Sequence, residues 1–299
     1  MSFFYVSLIN YYIKQIKLKK CLIFLILITF LFFSKKLNQK EKFYITLTSW
    51  KGRINFIHKN IENLLNNTIK AKKVILNLAQ EEFPSKNLEL PKEILALLKK
   101  YNNFEIFWVK ENNNVFKKLI PTLNRFKKDI IISLDDDIFY PNNTIENMLK
   151  CYNKSGKKNP ISFGTKFSDW HINGTVINAH FGAGSLVKYE FFNNKINEIY
   201  LNTTVDRIKK GIKCADDALY TYAALVNGYK YIRCKDYCID LKLYIKPSLK
   251  GPFSENNSKN FSILLKEYHN IIRKYIQNKY NISIVNLIKK IDKNELTKI

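Results

Sequence analysis

The sequence predicts an α/β fold with a doubly wound, mostly parallel sheet flanked by helices. Two observations carry this prediction. From residue 43 to residue 137, short apolar runs rich in β-branched residues alternate with amphipathic helical patterns, as in strands joined by right-handed crossover helices. The last of these runs ends on three consecutive aspartates, Asp135, Asp136 and Asp137. Since open α/β sheets bind ligands at the carboxyl ends of their strands, these aspartates mark the expected site.

Each element is justified by its own local pattern. Short apolar runs predict four strands, at residues 43–47, 73–78, 104–109 and 129–138. Apolar residues at helical spacing predict helices at 54–65, 91–98, 116–123, 218–226, 261–275 and 282–291, and Pro91 suits the first turn of its helix. Because parallel strands end at one edge, the residues after the first strand and the three aspartates should face one crevice.

The net charge narrows the class of partner. The chain carries a formal charge of +25, but only five of its 50 basic residues are arginine. Proteins that read nucleic-acid sequence usually rely on arginine and on recognisable helix motifs. Arginine is scarce here, and no such motif is present. We therefore expect no nucleic-acid partner and favour an anionic membrane surface.

Cysteine usage favours a reducing compartment. The chain has five cysteines, which is an odd number, and no Cys-x-x-Cys pair. This argues against a disulfide framework and against a structural zinc site.

Residues 1–40 are predicted to be an N-terminal membrane anchor or interfacial helix. The apolar stretch at residues 21–33 has lysines on both sides. As a helix it rises only about 20 Å, against the roughly 30 Å of a bilayer core, so spanning and interfacial placement both remain open. A cleaved signal peptide is the alternative, although no small-residue cleavage site follows the stretch.

The rest of the chain divides into a main domain and a tail. We expect a domain at residues 41–275, with a nucleotide-binding half at 41–140 and an acceptor half at 141–275. Residues 276–299 are expected to form a basic helical tail.

Asp135 and Asp137 suit a divalent cation. Side chains alternate along a strand, so these two carboxylates should point to one side and Asp136 to the other. The sequence has no Gly-x-Gly-x-x-Gly turn and no phosphate loop of the Gly-Lys type, so a bound diphosphate would need a cation. Mg²⁺ or Mn²⁺ binds between one or two carboxylates and substrate phosphates. The alternative is that the acidic residues only begin a solvated turn.

Several motifs together resemble bacterial nucleotide-sugar-dependent glycosyltransferases of the GT-A fold, of the family-2 type. In order along the chain they are TLTSWKGR at 46–53, KKLIPTL at 117–123, DDD at 135–137, FGAG at 181–184 and ADDA at 215–218. The resemblance covers roughly residues 43 to 270. It implies a GT-A-like fold, a UDP-sugar donor, Mn²⁺ or Mg²⁺, and a surface glycan or lipid-linked oligosaccharide as acceptor. It also implies a role in lipopolysaccharide or capsule synthesis at the cytoplasmic face of the bacterial inner membrane.

The resemblance assigns the donor side of the site to the end of the first strand, one lysine and the aspartates. The donor-binding candidates are Thr46, Thr48, Arg53, Lys118, Asp135 and Asp136, and the metal-binding candidates are Asp135 and Asp137. Lys118 is chosen over Lys117 because it directly precedes Leu-Ile-Pro. Two alternatives stay open: Thr48 and Ser49 could cap a helix, and the lysine could lie on a solvated face.

The acceptor side is assigned to two later motifs. His180, Gly182 and Gly184 are the acceptor-binding candidates, with glycines allowing a close backbone approach. Asp217 is expected to be the base that takes the acceptor's proton in an inverting enzyme, and Asp216 to orient the acceptor. The alternatives are a structural His180 and a helix N-cap at the two aspartates.

Two other functions compete with this one. A sugar nucleotidyltransferase shares a nucleotide-binding α/β sheet, but its glycine-rich, arginine-bearing N-terminal loop is absent. A non-catalytic, membrane-anchored carbohydrate-binding protein is the second. The donor sugar, the linkage and the stereochemical outcome remain open at this point.

Overall fold

The computed structural model describes residues 42–163, 171–172, 175–176, 184–213, 215–233, 242–243 and 258–296. Residues Lys42–Ile299 form one compact unit. The predicted membrane segment at residues 1–40 lies outside the described residues. Among the helices that are described, none is long and apolar enough to cross a bilayer.

The predicted α/β class is confirmed. The described strands are β1 (Phe43–Thr48), β2 (Lys73–Ala79), β3 (Phe104–Val109), β4 (Ile130–Ser133), β5 (Ile138–Phe139), β6 (Ile161–Ser162), β7 (His171–Ile172), β8 (Thr175–Val176), β9 (Ser185–Val187), β10 (Ile232–Arg233) and β11 (Lys242–Leu243). The described helices are α1 (His58–Leu65), α2 (Lys92–Lys100), α3 (Ile120–Arg125), α4 (Thr144–Lys154), α5 (Lys195–Lys209), α6 (Asp216–Val226), α7 (Ser258–Tyr280) and α8 (Ile284–Leu296). Helices flank a mixed, mostly parallel sheet.

The main sheet has seven described strands in the order β10-β6-β9-β4-β1-β2-β3. Strands β4, β1, β2 and β3 pair in parallel, and β10 pairs in parallel with β6. Strand β9 is antiparallel to both β4 and β6. Because β1 and β4 are parallel neighbours, the residues that follow them emerge side by side at the same edge.

The first half of the chain follows its sequence pattern closely. All four predicted strands are present, and β1, β2 and β4 are almost completely buried, as expected for strands covered by helices on both faces. The fourth strand is shorter than predicted because it ends at Ser133, before the aspartates.

Two helices of the second half were not predicted, α4 and α5. In α5 the pattern is obscured because Leu201, Val205 and Ile208 are exposed, while Ile196 and Ile199 are buried on the opposite face. Apolar residues on both faces remove the contrast on which an amphipathic prediction depends.

The division at residue 275 stays a prediction. Helix α7 crosses that position, and Ile276 is fully buried. Cys151 is disulfide-bonded, which contradicts the expectation that the cysteines are unpaired; the spacing of five cysteines does not show which of them meet in space.

Candidate functional site

The three aspartates lie in a turn between β4 and β5. The buried side chains of Tyr140 and Asn60 hold the backbone of this turn. The backbone N–H of Asp135 donates to the hydroxyl of Tyr140 at 2.8 Å, and the Asn60 amide donates to the carbonyl of Asp136 at 2.7 Å. Tyr140 and Asn60 are both buried. The carboxylates are therefore held in place by the core, which preorganises the site.

Arg53 holds two of the aspartates. Its Nη1 atom lies 2.6 Å from Oδ1 of Asp136 and 3.2 Å from Oδ2 of Asp137. Asp136 is only 4% exposed; burial raises its pKa, and the charge of Arg53 opposes that rise. Asp136 is thus placed to support Arg53, and its predicted contact with the donor stays a prediction.

Lys118 joins the aspartate turn to helix α6. Its Nζ lies 2.8 Å from Oδ1 of Asp135 and 3.3 Å from Oδ2 of Asp216. Burial alone would lower the pKa of Lys118, but the charges of Asp135, Asp216 and Asp217 together raise it well above its usual value. Lys118 is therefore a fixed cation. Its neighbour Lys117 also lines the cavity but contacts Asn112 and Glu82 instead. The preference for Lys118 over Lys117 as the donor-binding lysine stays a prediction.

Thr46 supports Lys118 from inside the protein. Its side chain is fully buried, and its hydroxyl donates to the carbonyl of Lys118 at 2.5 Å. The Asn77 amide donates to Thr46 Oγ1 at 2.8 Å and to the same carbonyl at 3.1 Å. The hydroxyl of Thr46 is thus part of a buried hydrogen-bond network, and its predicted contact with the donor stays a prediction. Sequence reasoning missed Asn77, although one amide inside an apolar strand was its signal.

Thr48 lies at the exposed end of the same strand and lines the cavity described below. Its hydroxyl donates to the carbonyl of Asn77 at 2.7 Å. Neither Thr48 nor Ser49 caps the helix that follows: the short 3₁₀ helix Ile54–Phe56 begins after Arg53, without a side-chain cap. The capping alternative is therefore wrong.

Two carboxylates at this edge have raised pKa values. Burial is the main cause at Asp137, and the charges of Asp135 and Asp136 add to it, so that its pKa rises to about 7 although Arg53 opposes the rise. Burial also raises the pKa of Asp216, against the charge of Lys118. A cation bound beside Asp137 would favour its ionised form.

A cavity of about 390 Å³ opens at this edge of the sheet. This volume lies within the range of small-molecule sites. The lining residues come from the ends of β1, β2, β3 and β4 and from the segment after α5: Thr48, Ser49, Trp50, Arg53, Glu82, Asn112, Asn114, Val115, Lys117, Lys118, Asp135, Asp136, Asp137 and Lys213. The first strand and the aspartates thus face one crevice, as expected.

The cavity lining also includes charged, aromatic and amide side chains beyond the aspartates. Lys117 is buried, with its Nζ 3.1 Å from Oδ1 of Asn112 and 3.5 Å from Oε2 of Glu82. Burial lowers the pKa of Lys117, and Glu82 opposes the change. Trp50 adds a flat aromatic surface, and an added Cβ at Gly52 would come within 2.2 Å of its indole ring. The lining therefore combines an aromatic ring and amides with charged groups.

The two aspartates of α6 differ in exposure. Asp216 is buried and paired with Lys118, whereas Asp217 is half-buried. Helix α6 begins directly at Asp216, and its N-cap residue is Ala215, in the left-handed region at φ +71°. Neither aspartate is the N-cap, but both lie in the first turn, where an acidic side chain suits the helix dipole, as the alternative to a catalytic role expects. A left-handed alanine is strained, and strain of this kind gathers at functional sites.

Gly184 is a packing glycine. It lies at φ +111°, and an added Cβ would meet Leu134 at 3.2 Å and Met148 at 3.3 Å. The space beside its Cα is thus filled by core side chains, and its predicted contact with the acceptor stays a prediction. His180 and Gly182 lie outside the described residues.

The residues present fit a divalent cation. Within the described parts of the chain, no group of three or more His, Cys, Asp and Glu side chains is arranged to hold a metal by itself. Asp135 and Asp137 nevertheless offer hard oxygen donors beside the cavity. The negative charges of Asp135 and Asp136 next to Asp137 also favour a bound cation. This donor set suits Mg²⁺ or Mn²⁺ shared with substrate phosphates rather than a closed protein site.

Lys118→Met should destabilise the protein strongly. The substitution keeps most of the side-chain volume but leaves the buried carboxylate of Asp216 without its cation. Removing one partner of a buried ion pair costs about 3 kcal/mol or more, so the free energy of unfolding in urea at pH 7 should fall by about that amount. The double variant Lys118→Met/Asp216→Asn should recover part of the loss. A single variant as stable as the wild type would contradict the pairing.

Comparisons with known proteins give weak likenesses. No protein-family model matches the chain, and no curated protein matches it. Among solved structures, S. aureus TarS aligns with 82% of this chain at 11% identity and a TM-score of 0.46. TarS residues 1–349 in complex with UDP-GlcNAc align with 82% at 12% identity and 0.44. The 4-diphosphocytidyl-2C-methyl-D-erythritol synthase from Anaerococcus prevotii aligns with 70% at 11% and 0.41.

The chain spans less than half of the first of these structures, covering 44% of TarS. TM-scores below 0.5 carry no argument about activity, so the function must be argued from the site itself.

Proposed function

We propose that this chain is a glycosyltransferase that moves a sugar from a UDP-sugar to a hydroxyl group of a surface glycan or lipid-linked oligosaccharide. The observation that carries the proposal is one cavity at the carboxyl edge of β1 and β4, lined by carboxylates and fixed cations together with an aromatic ring and amide side chains. A nucleoside diphosphate combines a flat base with a charged diphosphate, and these two kinds of lining suit its two parts. We place the enzyme at the cytoplasmic face of a bacterial inner membrane.

The donor would lie along the cavity. We place the base and ribose against Thr48, Trp50 and Asn112, and the diphosphate beside Asp135 and Asp137. These two aspartates would hold Mn²⁺ or Mg²⁺, which acts as a Lewis acid on the diphosphate when bound. Lys118 adds a fixed positive charge beside it, where negative charge develops on the leaving group.

The acceptor would approach from the α6 side. The bond between the sugar's anomeric carbon and the diphosphate oxygen breaks, and a bond from that carbon to the acceptor oxygen forms. Asp217 would take the acceptor's proton in an inverting reaction. Its half-buried position supports this role, because a base must reach substrate. Asp216 is already paired with Lys118, which supports a positioning role.

Calorimetry with UDP, in the presence and absence of Mn²⁺, tests the donor site. We expect binding that strengthens when Mn²⁺ is added. Screening a panel of nucleotide sugars for hydrolysis in detergent would then identify the donor. Absence of UDP binding under both conditions would overturn the proposal, and equal binding under both would overturn the role of the cation. Binding without turnover of any nucleotide sugar would favour a non-catalytic carbohydrate-binding protein.

A further inference from the structure

Helix α5 exposes an apolar stripe. Leu201, Val205 and Ile208 are 67%, 60% and 63% exposed. They recur at spacings of four and three residues, so they lie on one face over successive turns. The opposite face of the helix is packed in the core through Ile196 and Ile199. This helix therefore has an inner apolar face that the protein covers and an outer one that it leaves in water.

Helix α7 packs beside α5, with the Thr203 and Tyr268 hydroxyls 3.4 Å apart and Lys210 Nζ 3.4 Å from Oε2 of Glu267. These contacts lie on the side of α5 away from the exposed side chains. Ile263, one turn before Glu267 on α7, is 57% exposed. The outer apolar face of α5 is therefore not covered by α7.

The other large exposed apolar side chains among the described residues are scattered. Phe56, Leu88, Phe139 and Val285 each lie on a separate element. Single apolar side chains on a surface are ordinary, whereas a contiguous patch indicates an interaction site. The α5 stripe, defined here as Leu201, Val205 and Ile208, is the feature that needs a partner.

The side chains at the Ile208 end of the stripe are mainly basic. Lys209 and Lys210 follow Ile208 on α5, Lys213 lies in the segment between α5 and α6, and Lys266 lies on α7, and all four are exposed. The acidic side chains close to them are Asp206 and Glu267, and Glu267 is paired with Lys210. At the other end of α5, Lys195 is paired with Glu198. An apolar strip that ends in exposed lysines matches an anionic bilayer, where apolar side chains enter the acyl boundary and lysines meet the headgroups.

We propose that the α5 stripe docks this protein onto an anionic lipid bilayer. Lys213 follows α5 by four residues and lines the cavity, so docking through α5 brings the cavity rim to the lipid surface. If the proposed glycosyl transfer is correct, the acceptor is a glycan carried on a lipid. Docking itself does not depend on that activity.

Hydroxyl-radical footprinting of the full chain tests the surface directly. Oxidation of Leu201, Val205 and Ile208 would be measured by mass spectrometry with and without vesicles of phosphatidylcholine and phosphatidylglycerol in equal parts. We expect these side chains to be protected by the vesicles and Leu88, which is 90% exposed, to stay reactive. Vesicle binding without this protection would overturn the proposal and assign binding to another segment, such as residues 1–40. Protection without vesicles that rises with protein concentration would overturn it in favour of a second copy of the chain.

A set of variants separates the apolar contribution from the charge. Leu201→Asn/Val205→Asn/Ile208→Asn leaves the net charge unchanged, and it should lower the partition coefficient onto these vesicles by about tenfold or more. Leu88→Asn is the matched control and should bind as the wild type does. Binding should also weaken on pure phosphatidylcholine and at about 1 M salt, where the Debye length falls to about 3 Å. Unchanged partitioning of the triple variant would overturn the proposal, whatever the outcome for UDP binding.

Discussion

Asp137→Ala should remove the Mn²⁺-dependent part of UDP binding. Asp137 offers a carboxylate at the cavity. Burial, with added repulsion from Asp135 and Asp136, raises its pKa to about 7, and a divalent cation would offset that repulsion. Losing one of two anionic ligands should weaken UDP binding in the presence of Mn²⁺ by about a hundredfold. Binding without Mn²⁺ should change little. Calorimetry on the wild type and the variant under both conditions measures the difference.

The fold should survive this substitution. Because burial and two neighbouring charges disfavour the ionised form of Asp137, removing its carboxylate relieves repulsion, and the thermal midpoint should not fall. Asp129→Ala is a matched control: it makes the same change immediately before β4, at the opposite end of the strand from the aspartate turn. That variant should keep Mn²⁺-dependent binding. If Asp137→Ala also kept it, the assignment of the metal site would be wrong.

The first half of the molecule could be predicted because its strands are buried on both faces. Residues 43–48 and 73–79 consist largely of β-branched and apolar side chains, and the only arrangement that buries such runs between helices is a mostly parallel sheet. The crevice follows from the same argument. Its detailed geometry did not, since β4 ends at Ser133 and the aspartates occupy a turn, where strand alternation no longer applies.

The supporting residues were harder to predict because their partners are distant in sequence. Asn77 binds the carbonyl of Lys118, and Asn60 binds that of Asp136. Asn77 is the only amide in an apolar strand, which shows that it has a partner but not which one, whereas Asn60 shares its helix with other polar residues and gives no such signal. The second half resisted prediction for another reason. Strands β6, β9 and β10 have two or three residues each, too few to display a period of two.

Asp217→Asn should separate binding from chemistry. Asparagine keeps the size and hydrogen-bonding shape of the side chain but cannot take a proton, so an inverting transfer should slow by about a thousandfold. Mn²⁺-dependent UDP binding should remain, because Lys118 and the aspartate turn are anchored through Asp216, Thr46 and Tyr140. Turnover of the nucleotide sugar identified by the hydrolysis screen gives the rate, and calorimetry gives the affinity.

Asp216→Asn is the informative comparison for that variant. Asp216 is buried against Lys118, so its loss should disturb the position of the lysine and lower stability as well as turnover, whereas Asp217→Asn should lower turnover alone. Asp129→Asn should do neither. Turnover of Asp217→Asn near the wild-type rate would place the base elsewhere or indicate a reaction that retains configuration, for which no base is needed at this position. A fall in both stability and UDP affinity would instead give Asp217 the positioning role assigned here to Asp216.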